Sequence, residues 1–335
     1  MSITTDLTKV HLQRSQLWTG EMKESLKDRL EGEGYVRWIA DPDGDTMNIP
    51  SVGDATIRDY SEDSDVQYSS LDTGNFQFSI TEYKQSGLYI TRKARQDSAY
   101  AAELEASFVP KMNRAHGEVL ESDIWGLAAA GGGIGGAGQT ATSQELINGA
   151  AHRMVASGGS NAARTLALTD FTKIVYGAQK AHLPGNLVGF VDPSVEHALN
   201  NLQTGALEVS NNPRFEGIVE TGFGKDMRFV RNVFGIDIYV NNYLPHAGAS
   251  AGVAESIDDG AVRTTSAANS VTNVFFSVGG EQDLTPFIGA WRQMPIVDSE
   301  WNKDKQREEY VVTSRYGLKL YRPENLFTIL SDKVI

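Results

Sequence analysis

DSAYAAELEASFVPKMNRAHGEVLESDIWGLAAAGGGIGGAG, residues 97–138, is an alanine-rich segment that runs straight into a glycine tract. Ala102, Ala106, Val109, Met112, His116, Val119 and, after a slip of one place, Leu127 recur at close to helical spacing. Glu103, Glu105, Lys111, Arg114, Glu118 and Glu121 fall largely off that stripe, so one face is built for packing and the other for water. Pro110 cannot donate to the helical ladder and predicts a kink or the first turn of a second segment. The rod ends in the run Gly131-Gly132-Gly133-Ile134-Gly135-Gly136-Ala137-Gly138, because each glycine costs about 1 kcal/mol relative to alanine in a helix interior. The expected local structure is a bent helix over 97–130 leading into a flexible joint.

Composition bounds what such a rod can belong to. The 335 residues exceed the usual size of one core, which favours two domains or one large domain with excursions. With 22% charged and 40% apolar residues the chain reads as globular, and its 33 glycines point to many loops and strands. A net charge of -13 argues against a broad basic surface for nucleic acid, so any nucleic acid nearby is contained and not gripped. Zero cysteines exclude disulfides, thiolate zinc sites, iron–sulfur clusters and thiol nucleophiles. Met1 to Gly20 is polar throughout and no run approaches a membrane span, so the expectation is a cytoplasmic product without a membrane partner.

Outward from the rod, Trp18, Met22, Leu26 and Leu30 repeat every fourth residue, an amphipathic helix at the end of a polar arm that docks on its own domain or on a neighbour. Between Asp41 and Asp72 the acids Asp41, Asp43, Asp45, Asp54, Asp59, Glu62, Asp63, Asp65 and Asp72 face only Arg58, so the stretch is hard to bury. Short strands over 46–50, 55–60 and 66–68 predict a projecting hairpin. Phe76, Phe78 and Ile80 alternate with Gln77, Ser79 and Thr81 in a better strand, and 88–91 is another. After the glycine run we expect a weak helix over 143–155, a loop over 157–161, and a helix over 170–182 capped by Thr169 and stopped by Pro184-Gly185. Leu187–Val191 reads as an apolar strand, and Asp192-Pro193 as a helix start. Residues 227–230 and 236–240 add strands, and 246–270 reads as a long surface loop. Strands over 274–278, 294–297, 309–314 and 318–321 follow, with the charged 300–309 joining the middle two, and a last apolar piece spans 326–330.

Tests for chemistry come back empty. Gly131-x-Gly133-x-x-Gly136 matches the dinucleotide pattern literally, but a helix and not a strand precedes it and no acid follows to take a ribose. Asp41-Pro42-Asp43-Gly44-Asp45 has its glycine too early for a calcium loop, with Val52 where the closing Glu belongs. Gly158-Gly159-Ser160 is one residue short of a nucleophile elbow. The histidines at 11, 116, 152, 182, 197 and 246 show no ligand pairing, and His116 reads as a satisfied, partly buried side chain. Glu308-Glu309 reads as a solvated face.

Several segments, taken in order, carry a resemblance. They are Gly44-Asp45-Thr46-Met47-Asn48-Ile49-Pro50 before a polar hairpin and Phe78-Ser79-Ile80-Thr81; the long helix; Leu187-Val188-Gly189-Phe190-Val191-Asp192-Pro193 after His182-Leu183-Pro184; Val233-Phe234-Gly235-Ile236-Asp237-Ile238-Tyr239-Val240-Asn241-Asn242-Tyr243-Leu244; and the ending Tyr316-Gly317-Leu318-Lys319-Leu320-Tyr321-Arg322-Pro323-Glu324-Asn325-Leu326. In this order they resemble a major capsid protein of a tailed bacteriophage, with the Hong Kong 97-like fold shared with encapsulin shells. The resemblance implies an α+β chain with an N-terminal arm (1–40), an extended acidic loop (41–74), a peripheral domain with a spine helix (75–130), an axial α/β domain (131–284) and a return to the peripheral domain (285–335). It implies a structural protein and not an enzyme, without catalytic, cofactor or metal residues. Such a protein self-assembles into pentamers and hexamers of an icosahedral shell around double-stranded DNA, which it encloses without sequence-specific binding. Assembly contacts are assigned to Trp18, Met22, Arg58, Asp59, Glu62, Asp63 and Arg307, and a hinge to Gly131, Gly133, Gly135 and Gly138.

Implied partners are copies of itself, a portal, a decoration protein, and a separate scaffolding protein, since the arm before Asp41 is too short for a fused scaffold. The implied place is the virion capsid, assembled in the host bacterial cytoplasm. No lysine stands between Lys27 and Lys84, so the loop has no amine for the lysine–asparagine cross-link of the family's founding member, and a non-covalent shell is expected. Two rivals are an encapsulin-like compartment around an enzyme, and a nucleotide-binding enzyme using the Gly131–Gly138 loop.

Overall fold

In the computed structural model the alanine-rich stretch forms a helix, and two sheets pack at its C-terminal end. The structure describes residues 30–39, 44–52, 57, 59, 62, 65, 73–97, 101–129, 149–160, 163–184, 186–198, 229–246, 252–257, 262–264, 270–279 and 284–333. Strands β1 (Val36–Ile39), β2 (Thr46–Val52), β3 (Thr73–Ser79) and β4 (Glu82–Thr91) precede the short helix α1 (Arg92–Asp97) and the long helix α2 (Ala101–Gly126). Thr91 Oγ1 accepts the Ala94 amide at 3.2 Å and starts α1, so Asp97 closes a separate helix instead of opening the long one. Pro110 lies inside α2, which continues through it as one element. The lost ladder bond is outweighed by tertiary packing, since Met112, Leu120, Ile124 and Trp125 are all buried. The helix closes before Ala130, with Leu127, Ala128 and Ala129 bonding three residues back in tightened turns.

The second half holds β5 (His152–Val155), β6 (Gly158–Ser160), β7 (Ala163–Thr165), α3 (Leu168–Lys180), β8 (Leu187–Val191), β9 (Phe229–Val233), β10 (Ile236–Val240), β11 (Gly252–Ala254), β12 (Val262–Thr264) and β13 (Ser270–Ser277). Two long strands, β14 (Phe287–Asn302) and β15 (Arg307–Leu320), and a final β16 (Leu326–Asp332) complete it. One sheet has the order β1-β14-β15-β4 and the other β5-β16-β13-β8-β10-β9. The closing segment is therefore divided: 287–320 pairs in the four-stranded sheet, while β16 lies between β5 and β13 in the six-stranded one.

Several expectations are corrected. His152–Val155 is a strand and not the end of a helix, because Met154 and Val155 are fully buried beside Ile329 and Leu330, their parallel partners. The loop at 157–161 contains half of the β6–β7 hairpin. Helix α3 starts before Thr169: Asp170 reaches back from the first turn, its Oδ2 accepting the amides of Ala167 and Ser157, both at 3.0 Å. The supposed surface loop 246–270 contains the β11–β12 hairpin, with Glu255 buried against Arg263. The short strands expected over 294–297, 309–314 and 318–321 are parts of one hairpin, whose turn is confined to 303–306. Asp192 does cap the helix at 193–198, accepting from the Ser194 amide at 3.1 Å and its hydroxyl at 2.6 Å.

Strand periodicity of two gives the six-stranded sheet two cores. On one face Phe275, Phe327 and Ile329 pack against Phe171, Ile174 and Ala178 of α3. On the other, Val188, Phe190, Val274 and Phe276 meet the C-terminal turn of α2 and also Phe287 and Tyr316 of the four-stranded sheet. Trp125 sits at this junction, its ring 4.4 Å from Phe190 and 6.1 Å from Phe287. Truncating a buried aromatic of this kind costs about 3–5 kcal/mol.

Candidate assembly surfaces

A hairpin that pairs only with itself needs its base fixed. Strands β2 and β3 pair from Thr46–Ser79 to Val52–Thr73, and neither belongs to a larger sheet. Phe78 and Ile80 are buried with Ala290, against Met47, Phe76 and Ile39. The Ile80 amide donates to the Asp45 carbonyl at 2.8 Å, and the Asp45 carboxylate pairs with Arg315 at 3.1 Å. Lys319 donates to the Gln77 carbonyl at 2.7 Å and lies 5.0 Å from the centroid of the Phe76 ring. The hairpin is thus bolted to β14 and β15 at its root. Beyond β2, Ile57 is 95% exposed, and Asp59, Glu62 and Asp65 are exposed as well. Arg58 and Asp63 lie outside the described residues, as do Trp18, Met22 and the hinge positions Gly131, Gly133, Gly135 and Gly138.

The β14–β15 hairpin supplies a second surface. Tyr310, Val312, Ser314 and Tyr316 turn to the interior, with Tyr310 and Val312 beside Met112 of α2. The alternate positions leave Val311 exposed, and the exposed Tyr83, Tyr89 and Ile296 lie on the same face by cross-strand pairing. At the tip, Asn302 Oδ1 accepts the amides of Asp304 and Lys305, both at 3.2 Å. Arg307 opens β15, pairs with Glu309 at 2.5 Å and lies 4.4 Å from the centroid of the Tyr89 ring. Arg95 pairs with Glu308 at 2.7 Å. Arg307 is therefore held by its own chain and orders this tip. The Arg307 guanidinium keeps the Glu309 carboxyl below the usual carboxylate range. Glu308 and Glu309, read as a plain solvated face, are both in ion pairs.

Glu121 has a role that helical spacing does not signal. Although it falls off the apolar stripe, it is buried, and its carboxylate accepts from the Gly32 amide at 2.7 Å, Trp125 Nε1 at 2.7 Å and Asn241 Nδ2 at 2.8 Å. One side chain ties the N-terminal segment, α2 and the segment after β10 together. Trp125 four residues on is the one local hint. Nearby, Tyr316 donates to Asp123 at 2.6 Å, and Lys84 bridges Glu82 at 2.7 Å and Asp123 at 3.4 Å. Burial opposes the Lys84 charge, but the two carboxylates prevail and its pKa is raised. Burial and the Asp123 charge together push Tyr316 well above its ordinary value.

His116 Nδ1 lies 2.9 Å from Ser314 Oγ, while its Nε2 is buried without a hydrogen-bond partner, so it is only half satisfied. Burial lowers its pKa, partly offset by the polar backbone of Val312. Among the described residues no cluster of His, Asp or Glu could hold a metal ion, and no helix is long and apolar enough to cross a membrane. Gly158-Gly159-Ser160 forms a hairpin strand, with Gly159 at a φ of 72° and no room for a side chain against the Ala163 carbonyl.

These features describe a body with projections fastened at their roots. The search of curated proteins returns no match. Solved structures of similar fold include a chain of mycobacterium phage Che8 (TM-score 0.63, 14% identity, 95% of this chain and 97% of that one). Others are the capsid structure of cyanophage P-SCSP1u (0.65, 14%, 97% and 95%) and the capsid of Ralstonia phage GP4 (0.62, 10%, 96% and 96%). The family described as phage capsid protein matches residues 76–329, from the strand that fixes the hairpin root through α2 and both sheets to β16. The chain belongs to the phage capsid protein family.

Proposed function

We propose that this chain is the major subunit of an icosahedral bacteriophage shell, assembling into pentamers and hexamers around double-stranded DNA. The observation that carries the reading is the family match over 76–329, covering both sheets and the spine helix. In this reading α2 and the four-stranded sheet form the peripheral domain, the six-stranded sheet the axial domain, and the β2–β3 hairpin and N-terminal arm reach neighbouring copies. Such heterologous contacts close into rings when the rotation is right. Arg58, Asp59, Glu62 and Asp63 are proposed at those contacts, with Arg307 ordering the surface that meets them. Gly131, Gly133, Gly135 and Gly138 are proposed as the hinge between the domains. The protein works by geometry and not by catalysis.

The net charge of -13 suits a wall to which packaged DNA does not adhere. A separate scaffolding protein and a portal complete assembly in the host bacterial cytoplasm, and loop and arm contacts or a separate decoration protein hold the shell together. Virions boiled in detergent should give this chain as the dominant shell band at monomer mass. A trace component would refute the major-subunit reading, and a cross-linked ladder would refute the non-covalent shell.

A further inference from the structure

A cavity of about 230 Å³ opens between α2 and the long β14–β15 hairpin, lined by Asn113, Gly117, Leu120, Trp291, Met294 and Pro295. Its lining is mostly apolar, and Met294 at its wall is 65% exposed. At that size it accommodates one or two large side chains. Leu30 packs directly on Gly117, where a β-carbon would stand 2.5 Å from Leu30 Cδ1. Gly32 then bonds Glu121 and Glu33 lines the cavity, so the segment from Leu30 runs beside α2 in the same direction as the helix. Followed backwards from Leu30, it heads along α2 towards Asn113. Leu30 is also the last member of the stripe Trp18, Met22, Leu26, Leu30.

We propose that residues 18–29 of the same chain dock on α2 and seat Leu26 and Met22 in this cavity, extending the contact that Leu30 begins. The occupant is the chain's own arm because Leu30 already rests on Gly117. Leu26 then lies about one helical turn, or about 6 Å, further along, within reach of Asn113 without spanning to a neighbour. Glycine at 117 is what lets the arm approach the helix so closely. The inference goes beyond the shell reading and stands without it: docking fixes where the first part of the arm leaves the body, whatever that arm then contacts.

With no native cysteine, a Leu26→Cys, Asn113→Cys variant carries a single thiol pair. Mild oxidation should give a fast-migrating monomer at a rate independent of protein concentration, as expected for an intramolecular pair at an effective concentration of about millimolar. Leu26→Cys with the distant, exposed Tyr176→Cys is the control and should not close. Disulfide-linked dimers as the main product would place the arm on a neighbour and overturn the proposal, as would no product at all. Hydrogen exchange on the unaltered chain gives an answer independent of the cysteine variants folding. Amides of 18–29 and of 113–120 should be protected, with the protection of 18–29 lost in Gly117→Leu, whose side chain occupies the Leu30 site. Free exchange of 18–29 in the unaltered protein would overturn it.

Discussion

Removing the Glu121 carboxylate should destabilise the subunit more than any other single polar change near α2. In Glu121→Ala three buried donors lose their acceptor: the Gly32 amide, Trp125 Nε1 and Asn241 Nδ2. Each stranded donor costs about 1–3 kcal/mol. The vacated space is polar and takes a water that restores one of the bonds, so two donors stay stranded and the net loss is about 2–6 kcal/mol, a large part of a typical stability of about 5–15 kcal/mol. At about 1.4 °C per kcal/mol for a chain of this size, the melting temperature falls by about 3–8 °C. Glu121→Gln keeps the shape and one acceptor but turns an amide group towards one of the donors, for a loss of about 1–3 kcal/mol. The assay is thermal unfolding of unassembled subunits at low concentration, so that association does not contribute. A loss under about 1 kcal/mol in Glu121→Ala, or a larger loss in Glu121→Gln than in Glu121→Ala, would refute the claim that this carboxylate ties three segments together.

Gly189→Ala puts a methyl group into the Phe275 ring across the centre of the six-stranded sheet, and should cost about 1–3 kcal/mol or yield insoluble protein; full solubility with unchanged melting would contradict the packing described. Asp45→Asn breaks an exposed ion pair with Arg315 and should cost no more than about 1 kcal/mol while raising hydrogen exchange in β2 and β3; unchanged exchange there would mean the pair does not fasten the hairpin. Burial lowers the pKa of His116, so between that value and about 6.5 the unfolded chain binds more protons, and stability falls as the pH drops through this window. The stability difference between the native chain and His116→Asn should therefore shift in favour of the variant on going from about pH 7 to about pH 5. A constant difference across that range would show that His116 does not titrate against folding.

The parts legible in the sequence were those with strong local periodicity. Phe76, Phe78 and Ile80 announced their strand, Ile236–Val240 and Leu187–Val191 theirs, and Asp192 its cap. The spine helix was legible too, as one element running through Pro110, though its start was not, because residues 92–97 form a separate short helix. His152–Val155 was misread because its strand character comes from β16, over 170 residues away in sequence. The β14–β15 hairpin was cut into pieces by polar residues that face water along a strand with one exposed side. Glu121 was assigned to solvent by helical spacing alone, since its three donors come from residues 32, 125 and 241 and only one is local. The assembly residues were the least legible: a contact between copies leaves no periodic trace in one chain, and Arg307 has its partners within its own tip.

Electron cryomicroscopy of particles containing this chain separates a shell subunit from any other role. The expected result is closed icosahedral shells in which this chain occupies every pentamer and hexamer position, with the β2–β3 hairpin lying across a neighbouring copy. Dispersed monomers under assembly conditions, or shells whose lattice is built from a different protein, would contradict it.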